Sequence, residues 1–538
     1  MRSISWLTVP AMALLIGLSG GPASAHQLPV DSCKPPQDSL AGTTYRSDNV
    51  EYVGSLAGEA GDLTAGGRLV GRYFYMSGAS HISIYDTADV LKPKLVSRVD
   101  FACRFENEDI AVDGRSLIYS DFSATRAMYV YDVRNPAKPE LIAEVGDAGR
   151  HTMECVLDCR YLFGSYKADS ASGPLTTGSV VDLTDPAKPV VLGDWTEGDV
   201  LPSRKVHDVN EVSPGIVVAA SAPIQVMDVR ANVLKPKVLG RSADMAKRYH
   251  SVEWPRAGKD RWMMAMYETN ATPRCEAGVG DFTVFDARGV GTSGEIKPVS
   301  SYFLQNANDE KSQGNPEVNA GLGCSPHWFQ TRPSWKDGGI VAMAAYDHGV
   351  KFLRVDGAGA ITEAGHFRAP GANAAAAYWI TCDVVYVVDY TRGLDVIKFK
   401  DPATDCGSGS APVPAGAPLP SVAACSGRSA PRVSGRRPVR SARRVSVSGR
   451  SVPGLCGGRV TRVEVALARV TGKRCRFLGV RGILRAPRPC RAAGAPFARA
   501  RGTSRWSISV RRRLPAGRYR AFVRITDAFG NVTTRRLG

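Results

Sequence analysis

The chain has 538 residues, 43% hydrophobic and 8% aromatic, which is too long for one ordinary domain and too apolar for disorder throughout. Residues 426–538 hold 29 basic side chains against only Glu464 and Asp527, whereas residues 1–425 hold 40 basic and 49 acidic ones. The formal charge of +18 therefore describes a mildly acidic body with a basic C-terminal part, and gives no support to nucleic-acid binding along the whole chain.

At the N-terminus, Arg2, the apolar run from Leu7 to Leu18 and Ala23-Ser24-Ala25 before His26 predict a cleaved secretory signal over residues 1–25. No later stretch reaches the roughly 18 apolar residues of a membrane span, so no transmembrane segment is expected and the protein reads as secreted or envelope-associated. Of twelve cysteines, eight fall between Cys33 and Cys406 and four in the basic part. Even counts predict disulfides within each part, with a local bridge across Cys155-Val-Leu-Asp-Cys159.

A repeat organises residues 26–400. Ile82-Ser-Ile-Tyr-Asp86, Met128-Tyr-Val-Tyr-Asp132, Ser179-Val-Val-Asp182 and Gln225-Val-Met-Asp228 are each followed by a Lys-Pro run and a second apolar segment. Weaker copies end at Asp286, Asp356 and Asp401, giving spacings of 46, 50, 46, 58, 70 and 45 residues. Each unit reads as four short strands separated by Gly, Pro and Asp turns, the arithmetic of a β-propeller blade. Seven blades are expected. Val50 to Leu56 would supply the outer strand of the last blade and close the ring without a free edge. Residues 401–450, rich in Pro, Ala, Ser and Arg, read as a flexible linker. In residues 451–538, Trp506, Ile508 and Val510, and Tyr519, Ala521, Val523 and Ile525, alternate with polar or arginine-rich positions, which predicts half-buried antiparallel strands.

The repeats, with Tyr-Val-Tyr, Val-Val-Asp and Asp-Pro-x-x-Pro, resemble the LVIVD-type units of secreted β-propellers. Leu514-Pro-Ala-Gly-Arg-Tyr with Thr526-Asp-Ala-Phe-Gly-Asn-Val resembles the last hairpin of small Ig-like sandwiches. The resemblances imply an all-β fold, a seven-bladed β-propeller followed by an Ig-like β-sandwich. They imply little about activity, since propellers host unrelated functions.

Four of eight histidines, His151, His207, His250 and His327, open innermost strands, and the same count back from the following turn reaches Glu106. Equivalent inner-strand positions surround a propeller's channel, so these side chains are expected to converge as ligands for one transition-metal ion, copper, zinc or iron. Glu154 and Glu253, three residues after two of the histidines, are candidates to orient the imidazoles, although a strand tends to point such residues oppositely. The alternative is a ring of polar residues around a hydrated channel mouth. The selenium-binding protein/methanethiol oxidase group is similar in being a propeller with channel histidines linked to copper; no residues are carried over from it. His81 and His348 read as surface or packing residues, and Asn270-Ala-Thr272 as an incidental sequon.

The leading expectation is a scaffold that binds a ligand or protein at the propeller face, with the basic domain attracted to an anionic envelope polymer. No specific nucleic-acid partner is expected, because no aromatics interleave with the arginines. The alternative is a metal-dependent enzyme, an oxidoreductase, using the channel histidines.

Overall fold

The computed structural model describes residues 43–401 and 432–537, apart from internal stretches of which 166–177, 196–203, 308–322 and 453–459 are the longest. The signal segment, Asn270, Glu106 and the first part of the expected linker lie outside the described residues. Among the described residues the secondary structure is β throughout, with one 3-10 turn at Leu304–Asn306, and no helix is long and apolar enough to cross a membrane.

From Thr64 the chain passes through successive four-stranded antiparallel sheets in a β-propeller-like arrangement. The first holds Thr64–Val70, Tyr73–Gly78, His81–Asp86 and Lys94–Asp100, and the second Ala111–Val112, Ser116–Ser120, Met128–Asp132 and Glu140–Val145. Next come Met153–Val156, Tyr161–Gly164, Ser179–Asp182 and Val190–Asp194, then Arg204–Ser213, Ile216–Ala222, Gln225–Asp228 and Lys237–Ser242. A two-residue parallel pairing at Ser242↔Ile296 joins that sheet to Ser251–Glu253, Trp262–Tyr267, Asp281–Asp286 and Glu295–Phe303. Phe329–Thr331, Gly339–Ala344, Val350–Val355 and Ile361–Arg368 follow, with Tyr45–Arg46 added at the outer edge. The last sheet joins Ala374–Trp379, Val384–Asp389 and Gly393–Phe399 to Val50–Leu56 from the beginning of the chain, as the repeat predicts. The first and last sheets share a core of Phe74, Met76, Tyr386 and Val388, so the succession closes on itself.

The repeated aspartates have a local cause. Asp86, Asp132, Asp182, Asp228, Asp286 and Asp356 each accept the backbone N–H two residues on, at 2.7 to 3.0 Å, forming Asx turns that end the third strand. Asp89, Asn135, Asp185 and Asn232 repeat the device three or four residues later, where the Lys-Pro run turns the chain into the fourth strand. A register shift recurs between third and fourth strands, at Ile84/Tyr85, Leu141/Ala143, Val180/Val181, Val226/Met227, Val284/Phe285 and Phe352/Leu353. Such bulges bend the outer strand and add twist.

Cys155–Cys159 is the expected local bridge, and Cys275–Cys324 and Cys475–Cys490 also pair within their own parts. His81 and His348 are fully buried, which settles them as interior side chains.

The C-terminal part is built of two sheets. One holds Arg432–Gly435, Val439–Ser441, Arg444–Val452 and Arg505–Arg511; the other is centred on Val460–Thr471, Tyr519–Asp527 and Val532–Leu537. Val433, Val445, Val447 and Trp506 of the first share a core with Val463, Val465, Val523 and Ile525 of the second. Residues 432–452 therefore belong to the folded unit rather than to a linker reaching 450. Val445 and Val447 alternate with serine and arginine and bury one face, a pattern that the high arginine and serine content hides.

Candidate metal centre

The innermost strands of neighbouring sheets run side by side, and one hydrogen-bonding feature fixes their level. Asp109 and Thr152 form a parallel bridge, which sets Glu108 beside His151. Thr152 Oγ1 donates to the His207 carbonyl at 2.6 Å, and the backbone N–H of His327 donates to Ala344 O at 2.9 Å. The first sheet approaches through Gly66: a Cβ there would lie 1.7 Å from the Glu108 carbonyl oxygen. The last sheet contributes Ala375, whose carbonyl accepts from His327 Nδ1 at 2.7 Å.

All four histidines converge. Their side chains are at most 1% exposed and surround the fully buried carboxylate of Glu108. Nε2 of His327, His151, His250 and His207 lies 2.9, 3.2, 3.5 and 3.9 Å from Glu108 oxygens. His151 Nε2 and His207 Nε2 are 3.1 Å apart, and the His207 and His250 rings lie 3.7 Å between centroids. Tyr390 Oη and Trp328 Nε1 also reach Glu108, at 3.3 and 3.4 Å. Donors held at about 2.0–2.1 Å from one ion are themselves at most about 4.2 Å apart, and the donors gather as two three-residue groups that share Glu108, one with His151 and His207 and one with His250 and His327.

Two electrostatic features bear on what the cluster can hold. Because a carbonyl only accepts, His327 Nδ1 must carry a proton toward Ala375. In the neutral ring, Nε2 then presents its lone pair to a carboxylate oxygen 2.9 Å away, a contact that a second proton or a metal cation relieves. His207 is held well below the ordinary imidazole range by burial and then by the neighbouring His250 and His151. His250 is pushed down to about 4 by burial and then by His327. Both are uncharged at neutral pH, the state a metal ligand requires.

The structure places Glu154 and Glu253 away from the ring. Glu106 lies outside the described residues, and the carboxylate in the ring is Glu108. Glu154 pairs with Arg68 at 2.7 Å, and Arg68 also meets Asp109 at 2.9 Å. Burial raises Glu154 to about 7 and lifts Asp208 well above the usual carboxylate range, so this polar layer beside the ring carries less negative charge than its composition suggests. Glu253 accepts the Thr331 backbone N–H from the next sheet at 2.9 Å, as Gln330 accepts that of Trp379 at 2.7 Å. Glu253 and Gln330, three beyond ring positions, thus clasp the next sheet, and Glu154 reaches past the second sheet to Arg68 of the first; all three turn from the ring as the two-residue period of a strand requires. The acidic side chain that does approach a ring histidine is Glu268, at the end of a second strand: it lies 3.8 Å from His250 Nε2 and accepts from Tyr346 Oη at 2.5 Å.

The clasp has a pH signature. Burial raises Glu253 to about 7, so the folded state favours its protonated form; that contribution is complete below about 4.5 and is lost as pH rises through 7. Glu253→Gln is expected to lose less stability than the parent between pH 5 and pH 8, by about 1–3 kcal/mol in urea denaturation. Parallel losses in both proteins would contradict the assignment.

No family model and no curated protein matches the chain. Among solved structures, the crystal structure of the N-terminal domain of Nup159 is similar at TM-score 0.39 and 10% identity, covering 68% of this chain and 97% of that one. An S. cerevisiae assembly, a Dbp5 variant bound to Nup159, a Gle1 variant, IP6 and ADP, is similar at TM-score 0.39 and 9% identity, covering 68% and 96%.

Proposed function

We propose that the protein is an exported, seven-bladed LVIVD-type β-propeller that holds one transition-metal ion on its axis through His151, His207, His250, His327 and Glu108, followed by an Ig-like basic domain that aids envelope association. The observation that carries the reading is the burial of four imidazoles around one carboxylate, Glu108 being grouped with His151 and His207 on one side and with His250 and His327 on the other. Nitrogen-rich donors favour copper, zinc or iron over magnesium or calcium. Copper or iron would supply one-electron chemistry beside Tyr346 and Tyr390, and an oxidoreductase is the catalytic form of this reading. Metal content by mass spectrometry on the full chain is expected to give about one ion per chain. His151→Ala/His207→Ala is expected to lose it while keeping its β-sheet circular dichroism. Equal metal in both proteins, or none in the folded parent, would overturn the reading.

The scaffold reading is favoured by a different observation: Leu95, Leu141 and Val190 are 45%, 52% and 56% exposed on the outermost strands of three consecutive sheets. A partner gripping that rim would bind equally well after the histidine substitutions.

A further inference from the structure

Two neighbouring strands of the C-terminal unit carry the same sequence device. Arg444-Val-Ser-Val-Ser-Gly-Arg450 and Arg505-Trp-Ser-Ile-Ser-Val-Arg511 both read Arg-x-Ser-x-Ser-x-Arg, and they pair antiparallel so that the two copies superpose end to end. Arg444 faces Arg511 in the register, Ser446 faces Ser509, Ser448 faces Ser507 and Arg450 faces Arg505. Val445, Val447 and Trp506 are buried in the core on one face, so period two places Arg444, Arg450, Arg505 and the serines together on the other. Six residue steps span each copy, about 20 Å of extended strand.

Like charges directly opposite each other across a ladder are destabilising. Here the Arg450/Arg505 pair has no internal remedy. Residues 426–538 contain only two acidic side chains, and one of them, Glu464, is already held by Arg524 at 2.9 Å on the other sheet. Neither the Arg450 nor the Arg505 guanidinium has a hydrogen-bond or ion-pair partner among the described residues. Around them lies an open groove of about 520 Å³, lined by Ser434, Ser448 and Ser507 and floored by Gly435 and Gly449. The floor has to be glycine: a Cβ on Gly449 would lie 2.0 Å from the Ser434 carbonyl oxygen and 2.5 Å from the Trp506 ring. The Trp506 ring packs on the core side, beneath Gly449 and Gly435, where a Cβ on either would meet its Cζ2 at 2.5 and 3.2 Å.

We infer that this face is a binding site for an extended, hydroxyl-rich polyanion, an anionic glycan, with Arg450 and Arg505 clamping one anionic group and the serine rows hydrogen-bonding the hydroxyls between the arginine pairs. Guanidinium forks bind carboxylate and phosphate alike, and the anion cancels the repulsion that the ladder builds in. The flat glycine floor admits a chain of sugar or polyol units. Nucleic acid fits less well, because the face offers no exposed aromatic ring on which a base can stack. The inference deepens the proposal that the basic domain aids envelope association, and gives that attraction a defined site.

The test is titration calorimetry of the full chain with polygalacturonate and with poly(glycerol phosphate), which separate a carboxylate from a phosphate source. Neutral dextran and a single-stranded DNA oligonucleotide serve as comparisons. At least one anionic polymer is expected to bind more tightly than DNA, and dextran is expected not to bind. Arg450→Gln/Arg505→Gln should weaken that binding roughly tenfold or more, as the loss of charge-assisted hydrogen bonds implies. Arg462→Gln/Arg536→Gln, which removes the same charge from exposed positions on the other sheet, should change it less than about twofold. Ser448→Ala/Ser507→Ala keeps the charge and should still weaken binding, which diffuse attraction would not show. Equal losses from the two arginine pairs, or tighter binding of DNA, would overturn the site while leaving the basic domain a general anion attractor. Binding of no polymer would overturn both.

Discussion

Gly66→Ala is expected to destabilise the protein by about 3 kcal/mol and to abolish metal retention at the same time. The added Cβ would meet the Glu108 carbonyl oxygen at 1.7 Å, and a backbone atom cannot rotate away as a side chain can. Relief requires the first and second sheets to separate at the level of the histidine ring, which displaces Glu108 from Nε2 of His327 and His151. Urea denaturation and metal content measured on one preparation check both halves. Parental stability would show that the two sheets do not approach as described.

Glu108→Gln keeps the size of the side chain and removes its charge, and is expected to lower transition-metal affinity by at least roughly tenfold. Its carboxylate is the one group that reaches all four imidazoles, so no other ring member is as central. Glu106→Gln, the substitution that counting along the sequence singles out, is expected to leave affinity unchanged. If the two variants exchanged these behaviours in competition with a chromophoric chelator, the inner strand of the second sheet would be misregistered by two residues.

That contrast shows how much was legible in the sequence. The four-strand repeat, its Asp-centred turns and the closing role of Val50 to Leu56 were all readable, because Asx turns and alternating apolar residues are local signals. The convergence of His151, His207, His250 and His327 followed from the repeat, since equivalent positions in equivalent sheets share a level. Glu108 was missed because the count ran back from turns that are not equivalent. In the third sheet Leu157, Asp158 and Cys159 all take left-handed backbone angles beside the Cys155–Cys159 bridge, whereas the second sheet turns at Asp113-Gly114 with the glycine alone left-handed. The inner strand between bridge and turn is also shorter there, with Ala111–Val112 against Met153–Val156.

Glu154 and Glu253 failed as imidazole partners for a reason the sequence already contained. An odd spacing along a strand turns a side chain away from the ring, and Glu154 found its partner on the first sheet while Glu253 found one on the next sheet. Glu268 could not be found from spacing at all, because it comes from the end of a second strand and reaches His250 only through the way the sheets pack. In the C-terminal unit, valine alternation at Val445 and Val447 was the available sign that folding begins well before residue 450.

The most direct test of the central claim is X-ray diffraction at a metal absorption edge, from crystals of the full chain grown with copper(II) or zinc(II). One anomalous peak is predicted, on the axis and about 2.0–2.1 Å from histidine Nε2 atoms. A well-ordered ring of His151, His207, His250, His327 and Glu108 with no anomalous peak among them would contradict the claim.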